Sequence, residues 1–315
     1  MITFKNIKVG DLTAANIVLQ PPATATDLDF TLSSGGDVIR TSMGDDVLHT
    51  NASNLTNADV ISLGGGHDTI HFLTTSFTFD STTRNVIEGL DEFDLRSAVD
   101  AKIILDDKFV AGSDADVFTL RYGLNGIDHL NTGLVTSQNR VVLEGTGAVV
   151  LANNLGNRVE INDHTLGKVT GGSGNDYFRL SGGDATIIGG NGNDYFSITS
   201  TSNNSMVGGA GDDVFYVAGG QFNTAMTISG GDGFDELRLA RTMSVLATDF
   251  AKTTGIDGIR FYQNNAMVQL SDDVFDSQIQ LRGNKEFING TVDVSHLASP
   301  ATVVLEKNLN LTVQG

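Results

Sequence analysis

One nine-residue phrase occurs four times between Gly171 and Leu239: GGSGNDYFR from Gly171, GGNGNDYFS from Gly189, GGAGDDVFY from Gly208 and GGDGFDELR from Gly230. Each fits G-G-x-G-x-D-x-U-x, where U is large and apolar. Successive copies start 18, 19 and 22 residues apart. A step of 18 residues is two nonapeptides, room for two short strands and two turns, which is one coil of a flattened solenoid. Within each coil the apolar residues alternate. Phe178 and Leu180, Phe196 and Ile198, Phe215 and Val217, Leu237 and Leu239 follow the aspartate, while Val169, Ile187, Met206 and Ile228 lead into the phrase. Period-two alternation puts such side chains on one face of a strand, and stacked coils superpose them as ladders that fill a narrow core. The expected fold is all-β, a parallel β-roll or β-helix solenoid.

The glycines permit positive φ and close backbone approach, which tight turns need. Such turns point carbonyl oxygens inward, and neighbouring strands lie about 4.8 Å apart, so carboxylates of two successive turns can share one ion. Calcium takes about six to eight oxygens at roughly 2.3–2.6 Å, which carbonyls and two aspartates supply. Asp176, Asp194, Asp213 and Asp235 are the expected carboxylate ligands. The alternative is a solenoid whose Gly/Asp-rich turns need no ion, but aspartates stacked on one edge repel one another strongly without a cation. The phrase occurs once per coil. The opposite turns read Ser181-Gly182-Gly183-Asp184, Thr201-Ser202-Asn203-Asn204 and Gly219-Gly220-Gln221-Phe222, so calcium is expected mainly along one edge.

On these motifs, from Gly171 to Leu239, the chain resembles the RTX (repeats-in-toxin) family of calcium-binding β-rolls. The resemblance implies Ca2+ as the bound ion, with carbonyl ligands at Gly172 and Gly174, Gly190 and Gly192, Gly209 and Gly211, and Gly231 and Gly233. It also implies a protein found outside the cell that leaves a Gram-negative bacterium by type I secretion, using an uncleaved C-terminal signal. Met1 to Ile7 holds no continuous apolar segment of the kind a secretory signal peptide has. The alternating segment from Ala298 to Gly315 is compatible with the C-terminal signal.

Outside the four phrases the pattern weakens. Residues 1–25 read as a lead-in strand and loop, 26–165 as degenerate rungs, 166–240 as the calcium β-roll and 241–315 as a β-rich C-terminal segment. Gly35-Gly36-Asp37, Gly44-Asp45-Asp46 and Gly66-His67-Asp68 retain G-x-D, which makes Asp37, Asp46 and Asp68 further calcium candidates. Phe30 and Ile61 are expected in the slot of Val169 and Ile187. Asn85 to Leu95 and Thr254 to Phe261 read as rungs without calcium, and Ala111 to Phe118 keeps aspartates but loses glycines. Strand-like stretches recur at Arg140–Leu143, Ala148–Leu151, Arg158–Ile161, Met267–Leu270 and Gln278–Leu281; only Val245 to Lys252 suggests helix.

The balance of 38 acidic against 19 basic residues gives a formal charge of −19, which argues against nucleic-acid binding, since that needs a basic footprint. No apolar run is long enough to span a membrane. The chain has no cysteine, in keeping with calcium rather than disulfides as the staple. His67 and His71 lie about 13 Å apart on a strand, a spacing of surface residues rather than of a metal pair. Neither the H-E-x-x-H of zinc proteases nor the G-x-S-x-G nucleophile elbow occurs, so no catalytic residue is assigned. The expected function is a secreted, calcium-folded structural protein that assembles with itself into a surface-layer lattice, a filament or an adhesive matrix. Two alternatives remain open: a monomeric adhesin that recognises a glycan such as a cell-surface polysaccharide, and a solenoid polysaccharide lyase or epimerase.

Overall fold

The structure is a computed structural model. It describes residues 27–41, 43–51, 53–73, 76–80 and 87–95, the strand backbones 100–106, 118–122, 127–134, 139–143 and 147–150, and residues 156–161, 167–182, 184–200, 203–218, 222–240, 244–262, 266–275, 278–283, 288–298, 302–305 and 309–314. The chain divides into two compact units, Met1–Asn153 and Asn154–Gly315. Each is a stack of short strands, and within each unit the described strands pair in parallel.

In the second unit one sheet is made by Arg158–Ile161, Tyr177–Leu180, Tyr195–Ile198, Val214–Val217, Glu236–Leu239, Gly258–Phe261, Gln278–Gly283 and Thr302–Leu305, and those that start at Tyr177, Tyr195, Val214, Glu236 and Gly258 directly follow a turn aspartate. Each pairs with the next. The strands that lead into the phrases, Gly167–Thr170, Thr186–Asn191, Ser205–Ala210, Thr227–Asp232 and Thr253–Thr254, make a second sheet. A third holds Ser244–Val245, Ala266–Gln269, Ile288–Asp293 and Leu309–Gln314.

The register places like upon like. Phe178 lies against Phe196 and Phe196 against Phe215, with ring centroids 5.0 and 4.8 Å apart and near-parallel planes. Leu237 and Ile259 continue the ladder, and Val169, Ile187, Met206 and Ile228 form the facing one; all are fully buried. Burying each such side chain stabilises the coil by about 1.5–3 kcal/mol, which a core only two ladders wide needs from every rung. Past the last phrase, the 3-10 helix Ala247–Phe250 buries Phe250 against Phe222, centroids 5.1 Å apart. This is the one place where the sequence suggested helix.

The first unit repeats the plan with less glycine. Asp29–Thr31, Val47–Thr50, Thr69–Phe72, Glu92–Leu95, Phe118–Tyr122 and Asn139–Leu143 stack in one sheet. Val38–Arg40, Val60–Ser62 and Ile87–Glu88 form another, as do Ser76–Asp80, Asp100–Asp106, Ile127–Leu134 and Gly147–Val150. Ile61 pairs with Ile39 and Ile87 in the lead-in position expected for it. Phe30 does not: it pairs with Leu48 in the sheet that follows the turns. The reason is that its strand runs into the Asp37 turn, which closes the opposite edge of the coil. The expected lead-in at 1–25 and residues 111–117 lie outside the described residues. No helix among the described residues is long and apolar enough to cross a membrane.

Candidate metal centre

The sixth residue of each phrase is an aspartate, buried just before the next strand begins. Asp176, Asp194, Asp213 and Asp235 are at most 1% exposed, and one oxygen of each reaches the preceding coil. Asp176 Oδ1 accepts from the Asn157 backbone N–H at 2.6 Å, Asp194 Oδ1 from Asp176 at 2.7 Å, Asp213 Oδ1 from Asp194 at 2.8 Å and Asp235 Oδ1 from Asp213 at 2.9 Å. Asp257 Oδ2 adds another rung, accepting from Asp235 N–H at 3.0 Å. Among the described residues the first unit holds three such bonds: Asp46 Oδ1 accepts from Leu28, Asp68 Oδ1 from Asp46 and Asp91 Oδ2 from Asp68.

A second, exposed rail runs the other way. The residue just before each aspartate offers its side-chain oxygen to the following coil. Asn175 Oδ1 accepts from Asn193 N–H, Asn193 Oδ1 from Asp212 and Asp212 Oδ1 from Phe234; Asp27 and Asp45 do the same for Asp45 and His67. Every turn is thus tied both backward and forward. Sequence reasoning missed this rail, although its signal, Asn or Asp at the fifth position of the phrase, was in view.

The second carboxylate oxygen is the one that bears on metal binding. Oδ2 of Asp46, Asp194, Asp213 and Asp235 is buried and accepts no hydrogen bond. Its surroundings are a glycine cradle. A Cβ placed on Gly189 would collide with Asp194 Oδ2 and with the carbonyl oxygen of Gly208 in the next coil. The same pairing recurs at Gly208 with Asp213 Oδ2 and the Gly230 carbonyl, and at Gly230 with Asp235 Oδ2 and the Gly255 carbonyl. At Gly171 the pair is Asp176 Oδ2 and the Gly189 carbonyl, although this Oδ2 also accepts from Gly172 N–H at 2.9 Å. Carboxylate and carbonyl oxygens therefore converge on the first glycine of each phrase, a donor set that suits a hard cation.

The expected carbonyl ligands sit in the same turns. Gly190, Gly209 and Gly231, with Gly192, Gly211 and Gly233, adopt φ between +102° and +129°, where only glycine is at ease. The carbonyls of Gly172 and Gly174 run along the stack against the Cα atoms of Gly190 and Gly192, and Gly172 O also accepts from Asn191 N–H at 3.1 Å. Among the described residues no three His, Cys, Asp or Glu side chains gather as they would round a metal ion. A cation here draws on main-chain oxygens as well as carboxylates.

Burial pushes the Asp194 carboxyl up to about 8, with Asp176 and Asp213 on either side adding to the rise. Burial likewise lifts Asp235 to about 7 and Asp213 to about 6, and raises Asp46 and Asp176. A carboxylate this dry stays ionised only with a positive partner. Asp37 stands apart from the ladder. It is stacked with Asp59 on the opposite edge, its N–H donating to Asp59 Oδ1 at 2.7 Å, and it also accepts from the Ser33 N–H and hydroxyl. On that same edge in the second unit the slot is filled by neutral Asn204, fully buried, whose Oδ1 accepts from Ala185 N–H.

Parallel coils that bury one carboxylate per turn against carbonyl oxygens define a cation-binding β-roll. The model of the RTX calcium-binding nonapeptide repeat matches the chain in four copies, at residues 32–54, 55–72, 169–197 and 198–221. The chain therefore carries RTX calcium-binding nonapeptide repeats, and Ca2+ is the ion such repeats bind. The matched segments include Asp37, Asp46, Asp68, Asp176, Asp194 and Asp213; Asp235 lies beyond them, yet its turn repeats the same hydrogen bonds and the same cradle. No curated protein and no solved structure matches the chain significantly.

Proposed function

We propose that this is a secreted, calcium-dependent structural protein that assembles with copies of itself at the cell surface, as a surface-layer lattice, an extracellular filament or an adhesive matrix. The observation that carries the reading is the buried Oδ2 without a partner, repeated in successive coils at Asp194, Asp213 and Asp235. Bound calcium would supply the positive charge that lets these carboxylates remain ionised in dry turns. The chain's own residues do the rest. Where calcium is scarce, stacked carboxylates keep the acidic repeats from closing, a state suited to export by type I secretion. Outside the cell, ligation by Asp194 and its neighbours becomes folding energy.

Self-assembly is supported by strand edges. Thr302–Leu305 and Leu309–Gln314 each pair on one side only among the described strands, with Leu305 and Val313 exposed. Unpaired edges are templates for another chain. The test is negative-stain electron microscopy of the purified protein in EGTA and after addition of millimolar calcium. Ordered sheets or fibres that form only with calcium are the expected result; monodisperse particles in both conditions overturn the assembly and leave the calcium-folded adhesin.

A further inference from the structure

Alternation along a strand sends one side chain into the core and the next to the outer face. In the second unit that outer face carries Tyr177, Tyr195 and Tyr216, with Tyr262 just past the strand Gly258–Phe261. These are four of the chain's five tyrosines, and all are partly exposed. Parallel register sets Tyr177 on Tyr195, as it sets Phe178 on Phe196 in the core beneath them. The two phenol rings stack with centroids 5.5 Å apart and planes 5° apart. Tyr216 lies more loosely on Tyr195, at 6.3 Å and 24°, and meets Tyr262 edge-on at 5.9 Å. Arg158 sits over the Tyr177 ring at 5.1 Å and Arg238 over the Tyr195 ring at 5.9 Å, so flanking guanidinium groups as well as the strands hold the pair in place.

Stacked phenols differ chemically from the phenylalanine ladder below them, because a phenol gives up an electron and a proton together. The chain has no tryptophan and no cysteine, which leaves tyrosine as the side chain from which a one-electron oxidant draws. The phenoxyl radical so formed carries unpaired spin on the ring carbons ortho to its oxygen. Two partly exposed rings that are parallel and one strand spacing apart are then preformed partners for coupling.

We propose that Tyr177 and Tyr195 are a site of oxidative cross-linking, joined as dityrosine by a peroxide acting through a one-electron catalyst. Each phenol loses one electron and one proton. The two radicals form one carbon–carbon bond between ortho carbons, and the hydrogens on the joined carbons move to the oxygens, restoring both hydroxyls. The two electrons break the peroxide O–O bond, and with the two protons they turn hydrogen peroxide into two waters. The product ties two successive coils covalently across the Asp194 turn, between residues 18 apart in sequence. Closing such a loop takes entropy from the unfolded chain, as a disulfide does, in a chain with no cysteine to make one. The cross-link holds the coils together when calcium falls. It needs the folded coils but not the self-assembly proposed above.

Dilute protein in calcium is illuminated with a ruthenium tris-bipyridyl photocatalyst and persulfate, a peroxide whose O–O bond takes the two electrons, and the monomer is isolated. Dityrosine fluorescence is expected, with the peptides of Tyr177 and Tyr195 joined at a loss of two hydrogens by mass spectrometry. Tyr195→Phe keeps a stacked ring without the phenol and should lose that joined peptide, whereas Tyr262→Phe should keep it. In urea the yield of the joined peptide should fall several-fold, because register no longer brings the rings together. In EGTA the cross-linked monomer should unfold at higher urea than Tyr195→Phe treated in the same way. Dityrosine found mainly between chains, an equal yield of the joined peptide in urea, or a urea midpoint no higher than that of the treated Tyr195→Phe overturns the proposal.

Discussion

Asp194 divides two tasks between its two oxygens. Oδ1 holds the coil before it by accepting from Asp176 N–H, and Oδ2 waits in the cradle of Gly189. The neighbouring slots show that the first task needs no charge, because buried Asn204 performs it on the opposite edge. The ionised form is costly in an empty turn, and the direction of the pH effect follows. The carboxyl protonates near 8 in the folded coil against 3.8 when unfolded, so between those values the folded state holds the extra proton. Stability from this group is therefore complete below about pH 4 and is lost as pH rises through the folded value. Asp235 and Asp213 act in the same sense with upper limits near 7 and 6. Urea melts in EGTA should show stability falling from pH 5 to pH 8. Asp194→Asn should flatten the upper part of that fall, be more stable than wild type at pH 8 in EGTA, and bind less calcium by equilibrium dialysis. Asp194→Ala also leaves the Asp176 N–H without its acceptor and should be about 1–3 kcal/mol less stable than Asp194→Asn in EGTA. A pH-independent wild type, or Asp194→Asn with full calcium stoichiometry, would show that the turn carboxylates are not the cation sites.

At the scale of strands and turns, the coil is set by its ladders. Phe196 lies between Phe178 and Phe215 with no exposed surface, and a core one side chain deep cannot repack from behind. Phe196→Ala is expected to cost about 3–5 kcal/mol, measured as the shift of the calcium-saturated melt. A cost under about 1 kcal/mol would mean that the coils are not held by this stack. The step between phrases made the ladder legible from sequence, because phrase and alternation share one register. Where that phase lapsed, so did the reading. Phe30 was assigned to the lead-in slot because Gly35-Gly36-Asp37 resembles a phrase, yet its turn closes the other edge, and spacing without strand context cannot tell one edge from the other. Asp91 and Asp257 were read within rungs lacking calcium, since Leu90 and Ile256 stand where the phrase has another residue and glycines are few; both extend the hydrogen-bonded ladder all the same. The alignment of three arginines in the second unit is hidden from the sequence for a different reason. Arg238, Arg260 and Arg282 share no local motif, and only pairing in register brings them together.

At the scale of the whole molecule, the turn aspartates among the described residues form one ladder in each unit, with Asp46, Asp68 and Asp91 in the first and Asp176, Asp194, Asp213, Asp235 and Asp257 in the second. In the first unit the backbone-to-carboxylate chain runs from Leu28 through Asp46 and Asp68 to Asp91. In the second it runs from Asn157 through Asp176, Asp194, Asp213 and Asp235 to Asp257. In stacked repeats stability is close to a sum over coils and the interfaces between neighbours, and each further coil gives its neighbours a second flank to close on. The longer ladder should fold at lower calcium and more steeply than the shorter. Limited proteolysis of the full chain across a calcium titration, read by mass spectrometry, tests this directly. Peptides from 154–315 are expected to gain protection first, over a narrow range of calcium, and those from 1–153 later and more gradually. Protection of both units at one calcium concentration would mean that they fold as a single cooperative body, and the difference in ladder length would then carry no energetic weight.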